Sequence, residues 1–376
     1  MVKPLIAKVG LALASIGSAL LLAEGALRSL PVSGVPTAAS DRGFFSHFDP
    51  QLGWAPKPSV SGIHRDKGFS TLVSQNHFGL RAPDDLQPGR HGAGRRMLVL
   101  GDSYVWGYGV SQEELFSAAR VHGSDTEIIN FGVSGYGTDQ ELLFYRRLGT
   151  RFEVDDVVLV FTPYNDVSNN LASRQYDHEK PYFTLQSGQL SLHDGHVIDW
   201  VWRDWAEDVR VSSRILNLID SALLQIRNRV LQTTASMAGV AEARDDVRRP
   251  GDVTARDREG VELTRALIRT LRDEARAHGA DFWVVFVPYK PHILADAPEN
   301  HPLVPLLAAA LSADGIRYYE PYPFFLAASR AGQSLFNPLD NHFSAAGHRE
   351  FAKQFVDSER RDKTRDYYTR IAAPEH

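Results

Sequence analysis

The chain contains no cysteine among its 376 residues. This absence excludes disulfides, thiolate metal sites, a cysteine nucleophile and a lipid-modified cysteine anchor. The chain also lacks an excess of positive charge, because 41 basic and 46 acidic side chains give a net charge of −5, so we expect no nucleic-acid partner. It has no phosphate-binding Gly-x-x-x-x-Gly-Lys sequence, and Gly107-Tyr108-Gly109 does not make a dinucleotide fingerprint. His292 and His301 lie in a proline-rich loop without clustered ligand partners, so we expect neither a metal nor a cofactor.

One long apolar run is present, at the amino terminus. It extends from Leu5 to Ala23, contains Lys8 and follows Lys3. Its length is close to the roughly 20 residues that span a bilayer as a helix. The lysines favour a cytoplasmic amino end, and no small-x-small cleavage site follows the run. We therefore expect residues 1–28 to form a single-pass anchor in the inner membrane, with the body in the periplasm; a cleaved signal peptide or a buried helix is the alternative.

The middle and the end of the chain alternate between two apolar patterns. Short runs rich in Val, Ile and Phe predict strands at Met97–Leu100, Glu127–Phe131, Val157–Phe161, Phe282–Val287 and Ile316–Tyr319. Helical periodicity is found near Gln112–Val121, Asp139–Leu148, Val261–His278, Leu303–Leu311 and Ala345–Phe355. This alternation predicts a parallel sheet covered by helices on both faces.

Other segments lie outside this alternation. Residues 41–95 are rich in Gly, Pro and Ser, and the alternating stretch Ser70–Ser74 indicates hairpins packed beside the main sheet, so we expect a β-rich extension there. The main domain is expected over residues 96–356, with an α+β insertion at 168–260. The tail, 357–376, is charged, and we expect it to be exposed.

The insertion itself has two patterns. Pro181–Phe183 and Leu190–Leu192 indicate a small β element. A helical stripe follows, formed by Ile215, Leu216, Ile219, Leu223, Ile226 and Val230. This stripe either packs on the core, caps the functional site, or faces the membrane or a partner.

Four polar segments follow predicted strands or precede the last helix. They are Gly101-Asp102-Ser103-Tyr104, Asn130-Phe131-Gly132-Val133-Ser134-Gly135, Asn165-Asp166 and Asp340-Asn341-His342. Because the carboxyl ends of parallel strands meet at one edge of a sheet, we expect these segments to converge in one cleft.

Each member of this set has a task in acyl transfer. The Ser103 hydroxyl needs a base to become a nucleophile, and His342 can take its proton. Asp340 would accept a hydrogen bond from the other ring nitrogen of His342 and fix its tautomer. The oxyanion of the tetrahedral intermediate needs hydrogen-bond donors. The candidates are the Ser103 and Gly135 N–H groups and the Asn165 side-chain amide.

Nearby polar residues have other interpretations. We expect Asp102 to brace the turn through backbone hydrogen bonds and His348 to lie on a helical surface. Ser134 is a weaker nucleophile candidate, because a Gly-x-Ser-x-Gly elbow needs a glycine where Tyr136 stands.

The four segments resemble, in order, the sequence blocks of the SGNH/GDSL hydrolase family. The resemblance covers about residues 97–355 and implies a flavodoxin-like three-layer α/β/α sandwich with a mostly parallel five-stranded sheet, a Ser-His-Asp triad and an oxyanion hole of Ser103, Gly135 and Asn165. The amino-terminal anchor, with Gly53-Trp54 and the run Asn76–Arg81, looks like a membrane-anchored bacterial subgroup.

Two positions depart from the family pattern. Tyr104 stands where the family name has leucine. The acid precedes the histidine by two residues, whereas many members have a spacing of three, which would place Leu339 at the acid position. Because leucine cannot orient an imidazole, Asp340 is the candidate. The shorter spacing is similar to that of the SGNH-like proteins that acetylate alginate.

The leading hypothesis is a serine esterase of acyl esters, with acetyl esters on extracytoplasmic glycans as the expected substrates. The second is an O-acyltransferase that uses the same triad, with a membrane-bound partner that delivers the acyl group. The third is a non-catalytic glycan-binding protein on a hydrolase scaffold.

Overall fold

The computed structural model describes residues 2–29, 44–66, 68–90, 94–118, 126–176, 178–195, 197, 213–216, 218–219, 222–223, 226 and 247–356. The strands are β1 (Ser46–Asp49), β2 (Gly53–Pro56), β3 (Val60–Asp66), β4 (Phe69–Gln75), β5 (Arg96–Gly101), β6 (Glu127–Gly132), β7 (Asp156–Phe161), β8 (Arg174–Gln175), β9 (His178–Glu179), β10 (Tyr182–Gln186), β11 (Gln189–His193), β12 (Asp281–Phe286) and β13 (Arg317–Tyr319). The α-helices are α1 (Val2–Ser29), α2 (Ser103–Trp106), α3 (Thr138–Arg147), α4 (Asp166–Asn170), α5 (Ala255–Ala277), α6 (Lys290–Leu294), α7 (Leu303–Ala313), α8 (Tyr322–Arg330) and α9 (Ala345–Val356).

A five-stranded sheet forms the centre of the fold. Its strand order is β13-β12-β7-β5-β6, and all neighbouring strands are parallel. Counted from β6 across the sheet to β13, these strands are the second, first, third, fourth and fifth of the five parallel strands in chain order. This is the 2-1-3-4-5 order of flavodoxin-like sheets. The predicted α/β fold class and all five predicted strands are confirmed.

Side chains that alternate along each strand build a core on both faces of the sheet. On one face, Leu98, Leu159 and Val284 pack with the apolar sides of α3, α5 and α7. On the other face, Val99 and Val160 pack with α2, α8 and α9. Both faces are covered by helices, so β5 and β7 are buried along their whole length, and β6 and β12 are buried at every residue except the first, as their continuous apolar sequences require.

Antiparallel hairpins flank the sheet. β1 pairs with β2 and β3 pairs with β4, both within the expected β-rich extension. Within the insertion, β8 pairs with β9 and β10 pairs with β11, the latter at the predicted β element. Most of the insertion's helical stripe is also helical in the structure, whereas Val230 and the tail 357–376 lie outside the described residues.

Two sequence expectations are wrong. The helix predicted near 112–121 is, in its described part, only a 3-10 turn at Gln112–Glu114. Leu115 then adopts an extended backbone, which allows both Leu115 and Phe116 to be buried, and the Phe116 N–H donates to His348 Nδ1 at 3.3 Å. His348 is accordingly buried and not on a helical surface.

The amino-terminal helix α1 stands apart from the core. Its segment Gly10–Ser29 is long and apolar enough to cross a membrane, and none of that segment is buried against the rest of the protein. Leu11, Leu21 and Leu22 are among its exposed side chains. This helix is a candidate transmembrane segment.

Candidate active site

Ser103 lies on a sharp turn at the carboxyl end of β5. It is the first residue of α2, which has only one turn and is capped at its carboxyl end by Gly107 in a left-handed conformation (φ 88°). The Asp102 carboxylate accepts the Tyr104 N–H at 2.9 Å, as expected for a residue that braces this turn. The buried guanidinium of Arg81 donates to the carbonyls of Trp106, Gly107 and Val110 and so holds the far end of the turn.

Three of the predicted site residues form a continuous chain of hydrogen bonds. Ser103 Oγ lies 2.7 Å from His342 Nε2, and His342 Nδ1 lies 3.1 Å from Asp340 Oδ1. The same Asp340 oxygen accepts the His342 backbone N–H at 2.7 Å. Asp340 therefore determines both the orientation of the ring and the position of its backbone. Such an arrangement can activate a serine hydroxyl.

Lys290 holds the loop that carries Asp340 and His342 through hydrogen bonds to its backbone. The Lys290 ammonium donates to the carbonyl oxygens of Asp340 at 2.6 Å and Asn337 at 2.7 Å. Burial lowers the pKa of Lys290, and the nearby Asp340 charge partly offsets this effect. Within the loop, Asn337 accepts the Leu339 N–H, which forms a local Asx turn.

Two tyrosines hold the imidazole of His342. The Tyr108 ring stacks on it with centroids 4.3 Å apart, and the Tyr104 ring lies 5.1 Å away. Tyr104 donates its hydroxyl to the Asn341 carbonyl, and Tyr108 donates to the Asp66 carboxylate in the β3–β4 hairpin. Tyr104 thus adds a hydrogen bond to the loop of His342, and the β-rich extension supports one wall of the candidate site.

Gly135 and Asn165 lie at the same edge of the sheet. Gly132 of β6 pairs with Gly101 of β5, which brings the loop of Gly135 beside α2. Gly135 has φ 82°, so a residue with a side chain would be strained there. Asn165 Nδ2 donates to Asp102 Oδ2 at 3.0 Å, and the second hydrogen of that amide remains to be donated elsewhere.

Buried acids lie behind these groups. Burial raises the pKa of Asp102, while hydrogen bonds from Asn165 and from the Tyr104 N–H lower it. Burial also raises the pKa values of Glu141 and Asp166 well above their ordinary range, and the charge of Asp102 adds to both shifts. Burial therefore favours the protonated form of all three carboxyl groups.

The sequence did not single out several residues that complete this geometry. Lys290 follows the end of β12, so its place after a strand is a signal that could have found it. Tyr108 and Asp66 come together only through the docking of a hairpin, for which the sequence has no local signal. No cluster of His, Asp or Glu suited to a metal is found in the described part of the chain.

The chain matches no protein-family model and no curated protein. Three solved structures similar to it are SGNH/GDSL hydrolases: TesA (12% identity, TM-score 0.35, covering 70% of this chain and 99% of TesA), a lipolytic G-D-S-L family protein from Veillonella parvula DSM 2008 (12%, 0.33, 71% and 100%), and a catalytic mutant of Axe2, an acetylxylan esterase from Geobacillus stearothermophilus (12%, 0.32, 71% and 94%). At TM-scores this low, the similarity does not establish a function.

Proposed function

We propose that this chain is a serine ester hydrolase of the SGNH/GDSL type. The observation that carries the proposal is the hydrogen-bonded chain from Ser103 Oγ through His342 to Asp340. The order of these groups is nucleophile, base and orienting acid, which is the arrangement needed for acyl transfer. The reaction needs water as its only co-substrate.

The proposed reaction has two steps. Ser103 Oγ attacks the acyl carbon while its proton moves to His342 Nε2, and the same proton then goes to the departing alkoxide. This leaves an acyl group on Ser103 and releases the alcohol. In the second step, His342 takes a proton from water, the hydroxide attacks the acyl carbon, and the carboxylic acid leaves as Ser103 recovers its proton.

Each step develops negative charge on the carbonyl oxygen. We propose that the Ser103 and Gly135 N–H groups and the second Asn165 amide hydrogen donate to it. The hydrogen bond from Asn165 to Asp102 supports this role, because it restricts the amide without using both of its hydrogens. One such donor contributes about 2.7–4 kcal/mol to transition-state stabilisation.

The test of the proposal is hydrolysis of p-nitrophenyl acetate by the full chain in detergent. We expect Ser103→Ala to reduce kcat by at least about 10⁴-fold without a change in the thermal melting temperature. Ser134→Ala is the matched control and should retain full activity. A serine-directed fluorophosphonate should label the wild type and not the Ser103 variant. Turnover that survives the loss of Ser103 would refute the mechanism, and absence of both turnover and labelling would favour a non-catalytic glycan-binding protein.

We further propose that acetyl esters on glycans outside the cytoplasm are the substrates. A second candidate activity is transfer of the acyl group to a polysaccharide hydroxyl, which the candidate membrane helix α1 favours because a membrane partner could deliver the acyl donor. Incubation with p-nitrophenyl acetate and an oligosaccharide separates the two. Acylated sugar as the main product would indicate a transferase, and free acetate alone would indicate a hydrolase.

We also propose that α1 anchors the body of the protein outside the cytoplasm in the inner membrane. Glu24, near the end of α1, accepts hydrogen bonds from the Arg214 N–H at 2.9 Å and the Ile215 N–H at 3.1 Å. The helical residues that follow expose Leu216, Leu218, Ile219, Leu223 and Ile226. Exposed apolar side chains next to a candidate span support their contact with the bilayer surface. A carboxyl-terminal reporter that is active only outside the cytoplasm tests the orientation.

A further inference from the structure

Tyr176 lies beside Gly135 and takes no part in the mechanism above. A Cβ at Gly135 would lie 2.5 Å from ring carbon Cε2 of Tyr176, so the tyrosine ring packs directly against the glycine backbone. Tyr176 is nevertheless 47% exposed, whereas Trp54 and Tyr136, close to the same loop, are buried. The ring is therefore accessible at the mouth of the proposed oxyanion hole.

The backbone of Tyr176 is unusual for a bulky residue. Its φ is 50°, in the left-handed region that turns normally assign to Gly, Asn or Asp. Tyr176 follows β8 directly and so lies in the tight turn between β8 and β9. A strained aromatic residue persists only where the surrounding structure holds it, and such residues concentrate at functional sites.

The hairpin that carries Tyr176 is firmly anchored. Directly after β9, the fully buried ammonium of Lys180 forms an ion pair with the equally buried Asp139 at the start of α3. Gly53 packs so closely on this segment that a Cβ there would lie 2.9 Å from the Glu179 carbonyl oxygen. The Trp54 indole donates to the Ser134 carbonyl at 3.2 Å, which joins β2 to the Gly135 loop. The position of the Tyr176 ring relative to Gly135 is thus fixed by buried contacts.

The chemistry around the ring indicates what it binds. The other described residues of the hairpin are all polar or charged: Arg174, Gln175, His178 and Glu179. A long acyl chain would need a continuous apolar groove, and a single ring among polar side chains does not provide one. A pyranose ring has an apolar C–H face that suits the negative face of an aromatic ring, and hydroxyl groups on its rim that suit polar neighbours.

From these observations we infer that Tyr176 is a stacking platform for a sugar ring that carries the ester. This inference rests on the proposed function, because the ester carbonyl oxygen must point toward Gly135. The sugar is then the alcohol portion of the substrate, and Tyr176 determines specificity without acting on the reacting atoms.

The experiment compares two acetates that differ in the alcohol: methyl 6-O-acetyl-glucopyranoside and ethyl acetate. We expect Tyr176→Ala to raise KM for the sugar ester about tenfold, the effect of losing one good aromatic contact, with kcat unchanged. Hydrolysis of ethyl acetate should be unaffected. Tyr176→Trp should retain the preference, and Leu192→Ala, which removes a 41% exposed apolar side chain of β11, is the matched control.

Other outcomes separate this inference from the proposed function. Equal losses of activity of Tyr176→Ala on both acetates would show that Tyr176 only supports Gly135. Unchanged activity on both acetates would show that Tyr176 contacts no substrate. Either result would contradict the stacking role of Tyr176. Inactivity of the wild type on both acetates would instead contradict the proposed esterase. Saturation-transfer NMR measures binding of the sugar ester to Ser103→Ala without turnover, and this binding should weaken about tenfold when Tyr176→Ala is added. Unchanged binding in that double variant also overturns the platform.

Discussion

Acidic residues at the edge of the central sheet where its strands begin, the amino edge, form ion pairs with arginines. Acidic residues at the edge where its strands end, the carboxyl edge, do not. Asp156, at the start of β7, is buried and accepts two hydrogen bonds from Arg95, at 2.5 and 2.8 Å. The other ion pairs of this edge are Arg96–Glu127, Arg90–Asp155 and Arg317–Asp281. At the carboxyl edge, Asp102, Glu141, Asp166 and Glu320 are buried and form no ion pair within the described part of the chain.

The two sets of acids differ in the direction of their pKa shifts. A hydrogen bond from the Arg90 side chain lowers the pKa of Asp155, so that carboxylate remains ionised and paired. Burial raises the pKa of Glu320 to about 8, so that acid is protonated at neutral pH. Unpaired buried acids are costly for folding, and in α/β folds such groups collect where ligands bind. The carboxyl edge is the one that carries Ser103.

The largest expected effect is on catalysis at the carboxyl edge. Asp340→Asn should reduce kcat/KM for p-nitrophenyl acetate by about 10³- to 10⁴-fold, because an amide cannot stabilise the imidazolium of His342. The melting temperature should stay the same, since the Asn oxygen can still accept the His342 N–H. Asp296→Asn, an exposed acid-to-amide change on the surface, is the control. A loss below tenfold would remove Asp340 from the proposed triad.

The second prediction concerns the buried pair of the amino edge. Asp156→Asn should lower the free energy of unfolding by about 1.5–3 kcal/mol, the contribution of hydrogen bonds to a charged group. Urea unfolding measures this loss. The kcat of the folded protein should not change, because the pair lies at the edge of the sheet opposite Ser103. A lower kcat at full folding would show that the two edges are coupled.

The third prediction uses pH to detect the unpaired acid Glu320. Its pKa is raised from 4.5 to about 8 by burial. The contribution of Glu320 to the free energy of unfolding is therefore complete below pH 4.5. It is lost as the pH rises toward 8, by up to about 1.4 kcal/mol per pH unit. In Glu320→Gln this loss should be absent, so the unfolding free energy of the variant relative to the wild type should increase between pH 5 and 8.

A histidine provides the opposite pH dependence for comparison. Burial lowers the pKa of His348 from 6.5 to about 3, so the unfolded chain binds the extra proton and stability falls as the pH drops from 6.5 toward 3. Because both forms of the protein contain His348, the difference between Glu320→Gln and the wild type isolates Glu320. A difference that does not vary with pH would mean that Glu320 is ionised in the fold.

The smallest effect is expected for the exposed pair of the amino edge. Asp281 is 60% exposed and lies 3.1 Å from Arg317. Asp281→Asn should change the free energy of unfolding by less than about 1 kcal/mol, because solvent screens such pairs. It makes the same chemical change as Asp156→Asn on the neighbouring strand, so urea unfolding of the two variants compares burial directly. Equal losses would contradict the role that we give to burial.

Much of this architecture could be predicted because it is local. The apolar runs of the central strands indicate buried strands, and Thr254 with Asp257 is a capping-box pattern that begins α5 before its apolar residues appear. The prediction of a helix near 112–121 is wrong because apolar periodicity does not show that Leu115 has an extended backbone. That backbone allows the Phe116 N–H to reach His348 Nδ1. A contact across more than 200 residues overrides local periodicity there.

The candidate site also has one part that the sequence predicts and another part that it does not. Ser103, Gly135, Asn165 and the Asp340–His342 loop could be proposed from sequence, because residues that follow parallel strands converge by topology alone. Their chemical roles remain a proposal. The supports of the site could not be foreseen. Lys290 holds carbonyl oxygens of the histidine loop, and every chain has carbonyl oxygens, so nothing in the sequence marks those particular ones as its partners.

By itself the sequence determined the order of strands and helices and the candidate catalytic side chains placed at their ends. Only the tertiary structure decided what surrounds those side chains. Tyr108 stacks on His342 and donates to Asp66, and Tyr176 packs against Gly135, because separate hairpins dock on the sheet edge. Docking depends on shape and on buried contacts between distant segments, for which local apolar periodicity carries no information.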